Sequence, residues 1–367
     1  MNRLIIKTLK NICCLLILAV CCSVTPAELQ ATQPYAPPVS ARAAILLDVC
    51  TGRVFYAKDA DSRVLPASTT KILTLITALS SSVSGETVTI SANAAKARGA
   101  SCNLLVGEQY LLTDLYYAMM LESGNDAAVA VAEHTGGSVQ RFVEMMNAKA
   151  EEVGVRDSSF VNPTGLTATG HYTTARDMSA IARYAMKYPA FTEIVGTKYK
   201  NWGRNNDRQP PILQNTNELL FSYEYATGVK TGYTQAARRC LVASAKHNGL
   251  HLLVVLFDSE PYCWNDARAL LDYGFSVITP RLIYKKDSVV TSISVYDLQE
   301  EVQLVIGEDL ILPLVDDYDR YTIEFVLPEQ LSAPVSIRQE VGVVKVSYDG
   351  QEIRRIKLFT NEEISGA

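Results

Sequence analysis

Leu65-Pro66-Ala67-Ser68-Thr69-Thr70-Lys71-Ile72-Leu73-Thr74-Leu75-Ile76-Thr77-Ala78-Leu79 is the stretch on which the reading of this chain turns. Pro66 closes an extended approach and the apolar residues after it recur at helical spacing, so the sequence predicts a helix with Ser68 in its first turn. Three residues along a helix returns a side chain to the same face, which brings the Lys71 ammonium within reach of the Ser68 hydroxyl. A serine hydroxyl is too weakly acidic to attack an amide unaided. Lys71 can take its proton only where burial and a neighbouring cation depress its pKa. The helix N-terminus contributes backbone N–H groups that favour negative charge growing on a reacting carbonyl oxygen.

Two further motifs follow in order, Ser123-Gly124-Asn125 and Lys230-Thr231-Gly232. By composition roughly one S-x-x-K is expected in a chain this long, and S-x-N is no rarer, so the first two motifs carry weight only in combination. Ser91-Ala92-Asn93 is a second S-x-N match, but it sits between strand-like Thr87–Ile90 and an Ala-rich helical stretch, where Ser91 reads as a helix N-cap. Lys-Thr-Gly is rarer and is better placed. After it come Leu241–Ala245, then Asn248-Gly249, then Leu252–Phe257, two apolar strands of a hairpin, so the motif is expected to begin an inner strand of a sheet. Gly232 would let a substrate backbone lie close, and Lys230 would be the second cation beside Lys71.

With these motifs and with Ser123-Gly124-Asn125-Asp126-Ala127-Ala128, Met146-Asn147, Asn162-Pro163-Thr164-Gly165-Leu166, Thr173–Met178 and Leu271–Phe275, the chain resembles the low-molecular-weight penicillin-binding proteins. These are the D-alanyl-D-alanine carboxypeptidases that trim bacterial cell-wall peptides. The resemblance implies an α/β (α+β) fold of penicillin-binding/β-lactamase type, an antiparallel sheet flanked by helices with an inserted helical subdomain. It also implies a serine peptidase without a cofactor, acting on stem peptides that end in D-Ala-D-Ala and acylated by β-lactams. In those terms Ser68 is the nucleophile and Lys71 its base, with Ser123 relaying the proton and Asn125 positioning Lys71 and the peptide amide. Lys230 and Thr231 hold the terminal carboxylate, Gly232 borders it, and the N–H groups of Ser68 and Tyr233 form the oxyanion hole. No group corresponding to a β-lactamase deacylation glutamate is identifiable.

The rest of the sequence fits this division. Ala44–Asp48 and Arg53–Ala57 around Thr51-Gly52 predict an N-terminal hairpin. Residues 112–155 are helical in pattern, with Thr113-Asp114 as a cap, Gly154 as a stop and Ser123-Gly124-Asn125 on a loop between two helices. From about residue 284 alternation takes over, as in Val289–Val295 and Tyr321–Val326, and predicts a small all-β domain over 284–361 after a catalytic domain of 28–280. The resemblance gives that domain the task of holding the catalytic part away from a membrane.

Arg3, Lys7 and Lys10 before an apolar run from Ile12 to Val24, with Ala27 before a cleavage point, read as a secretory signal over residues 1–27. The expected location is therefore extracytoplasmic. Relatives end in an amphipathic helix that lies on the membrane, and Thr360–Ala367 has neither its length nor its basic face, so peripheral membrane association has no visible element here. A formal charge of −5 without a basic cluster argues against nucleic acid.

Cys13, Cys14, Cys21 and Cys22 leave with the leader. Cys50, Cys102, Cys240 and Cys263 are expected to be buried thiols. With four histidines, no H-E-x-x-H and no G-x-S-x-G, neither zinc hydrolysis nor a Ser-His-Asp triad is supported. His134 and His171 read as surface or core residues.

Three positions depart from the family pattern: Arg238 where glycine is common, Thr164 where histidine is frequent, and Thr227 where an acidic residue is usual. None is expected to touch a catalytic group, although Arg238 could add a cation near the substrate carboxylate. A same-fold endopeptidase or β-lactamase, or a non-enzymatic wall-binding protein, are the alternative readings. The intact motifs disfavour the last.

Overall fold

The computed structural model describes residues 35–81, 85–202, 212–261, 263–296, 300–314 and 317–365. The expected signal segment lies outside them. Strands β1 (Ala43–Asp48) and β2 (Val54–Lys58) pair antiparallel as the N-terminal hairpin. The chain then leaves the sheet through a short 3-10 turn, Ala67–Thr70, that runs into α1 (Lys71–Leu79). Every residue of α1 from Lys71 to Ala78 is buried, so the helix that starts at the Ser-x-x-Lys motif is the axis of the subdomain around it.

The surrounding pieces are β3 (Thr87–Thr89), α2 (Ala92–Ala95), β4 (Gln109–Leu111), α3 (Leu112–Leu121), α4 (Asn125–Gly136), α5 (Val139–Val153), α6 (Ala175–Ala185) and α7 (Pro189–Gly196). Their ends follow local chemistry. Ser91, Ser138 and Thr174 each accept a backbone N–H three residues on, and Gly154, at φ +90°, stops α5. The expected cap at Thr113-Asp114 is corrected: α3 begins at Leu112 behind an extended Leu111, and Asp114 lies inside the first turn, where its charge suits the helix N-terminus.

Strands β5 (Tyr199–Asn201) and β6 (Ile212–Gln214) and the one-turn α8 (Leu219–Ser222) lead back to the sheet, completed by β7 (Ala226–Thr234), β8 (Arg238–His247) and β9 (Leu250–Phe257) and backed by α9 (Cys263–Val277). The strand order is β2-β1-β9-β8-β7, antiparallel throughout. Alternation along the strands divides the interior in two. Ala43, Ile45, Leu47, Leu253 and Val255 face the helical subdomain, whereas Ala44, Leu46, Leu252 and Val254 face α9 through Ala267, Leu270 and Leu271. Both faces being covered explains why β1 is buried at all six positions.

The Lys-Thr-Gly strand departs from expectation. It lies in the middle of β7, and β7 is the outer strand of the sheet, not an inner one. An outer strand keeps one row of backbone N–H and C=O groups out of the sheet, which is what an extended peptide needs in order to pair with it.

Beyond α9 the chain is all β. β10 (Thr279–Tyr284), β11 (Val289–Val295), β12 (Glu300–Ile306), β13 (Leu310–Leu314), β14 (Tyr321–Val326), β15 (Glu340–Tyr348) and β16 (Gln351–Thr360) form a five-stranded antiparallel sheet, β11-β12-β16-β15-β14, with β10 paired to β13. It meets the turn ends of the main sheet. Arg53 forms an ion pair with the buried Asp317, which also accepts from the Tyr348 hydroxyl at 3.0 Å, and the turn at Gly249 packs against Ile311.

Candidate active site

The turn that carries Ser68 is held in an uncommon conformation. Ala67 has φ +46°, a region that a residue with a Cβ seldom occupies, and Thr69 anchors the turn by donating its hydroxyl to the Pro66 carbonyl at 2.7 Å. Two glycines press on it. A Cβ on Gly165 would stand 1.8 Å from the Ala67 carbonyl oxygen, and one on Gly232 would stand 2.9 Å from the Ser68 nitrogen. Gly232 thus brings β7 against the Ser68 turn, which puts the first and third motifs in contact.

Lys71 is fully buried, and its Nζ lies 3.0 Å from Ser68 Oγ, 2.6 Å from Asn125 Oδ1 and 2.7 Å from the Thr164 carbonyl oxygen. The i, i+3 spacing delivers the first contact. Only the fold delivers the other two. Burial, with the Lys230 charge as the next contribution, pushes the Lys71 pKa well below its ordinary range, while Cys102 and Asp126 act in the opposite direction. Lys230 is itself 1% exposed and burial lowers its pKa to about 7; its Nζ donates to the Thr231 carbonyl at 3.1 Å.

The remaining predicted residues lie on the segments that carry Asn125 and Lys230. Thr231 shares a hydrogen bond of 2.8 Å with Thr216, whose backbone N–H bonds Leu121 at the end of α3. Ser123, at φ +61°, enters the turn into α4 with its hydroxyl making no hydrogen bond among the described residues. Tyr233 is 61% exposed, so its side chain points to solvent while its backbone follows Gly232 along β7.

Several contacts in the site do not follow from the sequence reading. The Thr164 carbonyl is aimed at Lys71 by Asn162, whose Oδ1 accepts from the Thr164 and Gly165 nitrogens at 3.1 and 2.8 Å. The expectation that Thr164 touches no catalytic group is therefore overturned. The contact is through its backbone, so the change of side chain is compatible with it. His171 donates from Nε2 to the Thr70 hydroxyl at 2.9 Å and accepts the Val161 N–H on Nδ1 at 3.1 Å, and burial lowers its pKa to about 4. Thr216 and the loop of residues 98–104 were likewise without a signal. Asn-Pro-x-Gly at 162–165, a turn-forming sequence, was the one clue to the Thr164 loop.

Arg238 has φ +57°, the left-handed region that favours glycine, and its guanidinium pairs with Asp258 and Glu260 at 3.6 and 3.3 Å. It thus answers local acids. Thr227 bonds Ser244 at 2.7 Å. Cys102, Cys240 and Cys263 are buried, and Cys50 is half-buried.

Residues 30–260 match the peptidase family described as D-alanyl-D-alanine carboxypeptidase. The chain belongs to the D-alanyl-D-alanine carboxypeptidase family. Residues 279–365 match the C-terminal domain of penicillin-binding protein 5. The chain is 34% identical over 337 residues to the D-alanyl-D-alanine carboxypeptidase DacF of Bacillus subtilis, covering 89% of this chain and 86% of that one. Among solved structures, penicillin binding protein 5 from Haemophilus influenzae is similar with a TM-score of 0.65 at 26% identity, over 90% of this chain and 99% of that one. A D-alanyl-D-alanine carboxypeptidase from Mycobacterium tuberculosis aligns with a TM-score of 0.64 at 31% identity, over 67% of this chain and 95% of its own. This carboxypeptidase is therefore a serine peptidase with a family C-terminal β domain. Its family acts on the cell wall outside the cytoplasm, on D-Ala-D-Ala ends, and binds penicillin.

Proposed function

We propose that Ser68 removes the terminal D-Ala of peptidoglycan stem peptides through an acyl-enzyme, with Lys71 as base. The observation that carries this reading is the shell of three oxygens around the Lys71 amine at 3.0, 2.6 and 2.7 Å. A neutral lysine has two N–H bonds and one lone pair. Asn125 Oδ1 and the Thr164 carbonyl can take only N–H bonds, so they turn the lone pair toward the Ser68 hydroxyl. The depressed pKa supplies that neutral form.

Ser68 Oγ then bonds to the carbonyl carbon of the penultimate D-Ala as its proton passes to Lys71 Nζ. The carbonyl oxygen takes the negative charge against the Ser68 and Tyr233 N–H groups. Ser123 passes the proton to the leaving nitrogen, the C–N bond breaks and D-Ala departs; water then hydrolyses the ester and restores Ser68. Lys230 and Thr231 bind the terminal carboxylate, with Gly232 allowing the peptide to lie along β7. An arriving carboxylate favours the charged form of Lys230, so substrate itself charges a lysine whose pKa is near 7 in its absence. β-Lactams present a strained amide and a carboxylate in the same arrangement and acylate Ser68.

The chain is read as a secreted protein, with a leader of 1–27, a catalytic domain of 28–280 and a β domain of 284–361 that holds the catalytic part away from a membrane. The test is release of D-Ala from a peptide ending in D-Ala-D-Ala by protein starting near Glu28, beside Ser68→Ala. Release lost in the variant is the expected result. Equal release from both, or none from folded wild type, overturns the proposal.

A further inference from the structure

The residue after the second motif, Asp126, is 1% exposed, a costly place for a carboxylate unless its oxygens are occupied. They are. Oδ2 accepts from Ser101 Oγ at 2.6 Å and from the Leu104 nitrogen at 3.1 Å, and Oδ1 accepts from the Cys102 nitrogen at 3.0 Å and from the Ala127 nitrogen of its own helix at 2.9 Å. Three of these four donors belong to the loop of residues 98–104, which is thereby fastened to the start of α4.

That loop holds Asn125 in return. The Arg98 carbonyl accepts from Asn125 Nδ2 at 2.6 Å and the Ala100 carbonyl from the Asn125 nitrogen at 2.8 Å. Gly99 lies so close that a Cβ there would stand 2.7 Å from Asn125 Nδ2. With Nδ2 committed to Arg98, the Asn125 amide can present only its oxygen to Lys71, which it does at 2.6 Å. The amide orientation on which the Lys71 lone pair depends is thus decided by a loop that Asp126 fastens.

We propose that Asp126 is a positioning residue for acylation: its carboxylate clamps the 98–104 loop that orients Asn125. This rests on the reading of Lys71 as the base. The charged and titratable groups that act on Lys71 are Lys230 from β7, Cys102 from the clamped loop and Asp126 from α4; burial and Lys230 lower its pKa, and Cys102 and Asp126 act against them. Removing the charge at residue 126 therefore lowers the Lys71 pKa further and raises the neutral fraction at acid pH. Removing the clamp loosens Asn125 and slows acylation at every pH. The two consequences have opposite signs below neutrality, which separates them from a merely structural role.

The experiment is the pH dependence of Ser68 acylation by a fluorescent penicillin, measured on purified wild type, Asp126→Asn and Ser101→Ala. Wild-type acylation should rise with pH along an acid limb to a plateau. Asp126→Asn is expected to move that limb to lower pH by roughly one unit and to lower the plateau by about tenfold or more. Ser101→Ala keeps the charge, removes one of the two Oδ2 bonds and the 2.9 Å bond from the Asn103 nitrogen to Ser101, and should lower the plateau with the limb unmoved. A limb and plateau identical to wild type in folded Asp126→Asn overturn the proposal. If that variant does not fold, Ser101→Ala decides, and a wild-type plateau there overturns it. Labelling of Ser68→Ala, or a wild-type profile without an acid limb, would instead refute the reading of Ser68 and Lys71.

Discussion

In the cleft, Lys71 and Lys230 are 0% and 1% exposed, and neither has a carboxylate within ion-pair distance among the described residues. In the C-terminal sheet, Lys345 and Lys357 lie at the surface opposite Glu324 and Glu340, at 3.0 and 2.6 Å. The same side chain is stored in one region as a buried amine without an ion-pair partner among the described residues and in the other as a solvated cross-strand pair. The first arrangement costs stability and favours the neutral amine. The second adds little of either, because water already solvates both partners.

The largest effect expected from this contrast is at Lys71. Lys71→Arg places a group that does not deprotonate in the same shell, so acylation by a β-lactam should fall about a thousandfold or more. Stopped-flow or gel-based labelling would read it, and acylation within tenfold of wild type would show that Lys71 is not the base.

Two glycines sharpen the comparison through the backbone. Gly165 and Gly350 have similar angles, φ +85° and +76°, but a Cβ on Gly165 would meet the Ala67 carbonyl whereas one on Gly350 meets nothing within 4 Å. Gly350→Ala should cost about 1 kcal/mol from its left-handed angle alone and leave D-Ala release unchanged. Gly165→Ala adds an overlap that only movement of the Ser68 turn can relieve, so it should cost about 3 kcal/mol or more and reduce acylation. Urea unfolding with activity on the same samples decides it, and equal behaviour of the two variants would remove the claim that Gly165 shapes the site.

Lys230 offers a test of opposite sign. Its pKa is about 7 in the fold against an ordinary 10.5, so between those values the unfolded chain binds the proton and the folded chain does not. The contribution of this group to stability therefore rises with pH across that window and is least favourable below about 7. Lys230→Met should raise the melting temperature by a few degrees at pH 6, with the gain shrinking toward pH 10.5, while D-Ala release is largely lost. A fall in melting temperature at pH 6 would count against burial as the source of the shift. The smallest effect is at Lys345, where substitution by alanine should change stability by less than about 0.5 kcal/mol and activity not at all.

The local grammar of the chain was largely readable. Val289–Val295 and Tyr321–Val326 are strands with those bounds, Ser91 is a cap and not a catalytic serine, and Gly154 ends its helix, because each is governed by neighbours a few residues away. Misreadings fell where a distant partner decides. The edge position of β7 follows from which strands pair, and hydropathy alternation looks the same on an edge and inside a sheet. Thr164 was misjudged for a related reason, since a carbonyl contact leaves no mark on side-chain type.

By itself the sequence determined the i, i+3 pairing of Ser68 with Lys71, the order of the three motifs and the change from helical to alternating pattern near residue 284. The first and last of these are short-range, set by the i, i+3 repeat of a helical turn and the two-residue period of a strand. Only the tertiary structure decided that Asn125 and Thr164, 54 and 93 residues from Lys71, would complete its shell, and that Gly232 would bring the third motif against Ser68. A lysine becomes a base through burial and the placement of other charges, and both are properties of a folded interior that no local stretch of chain contains.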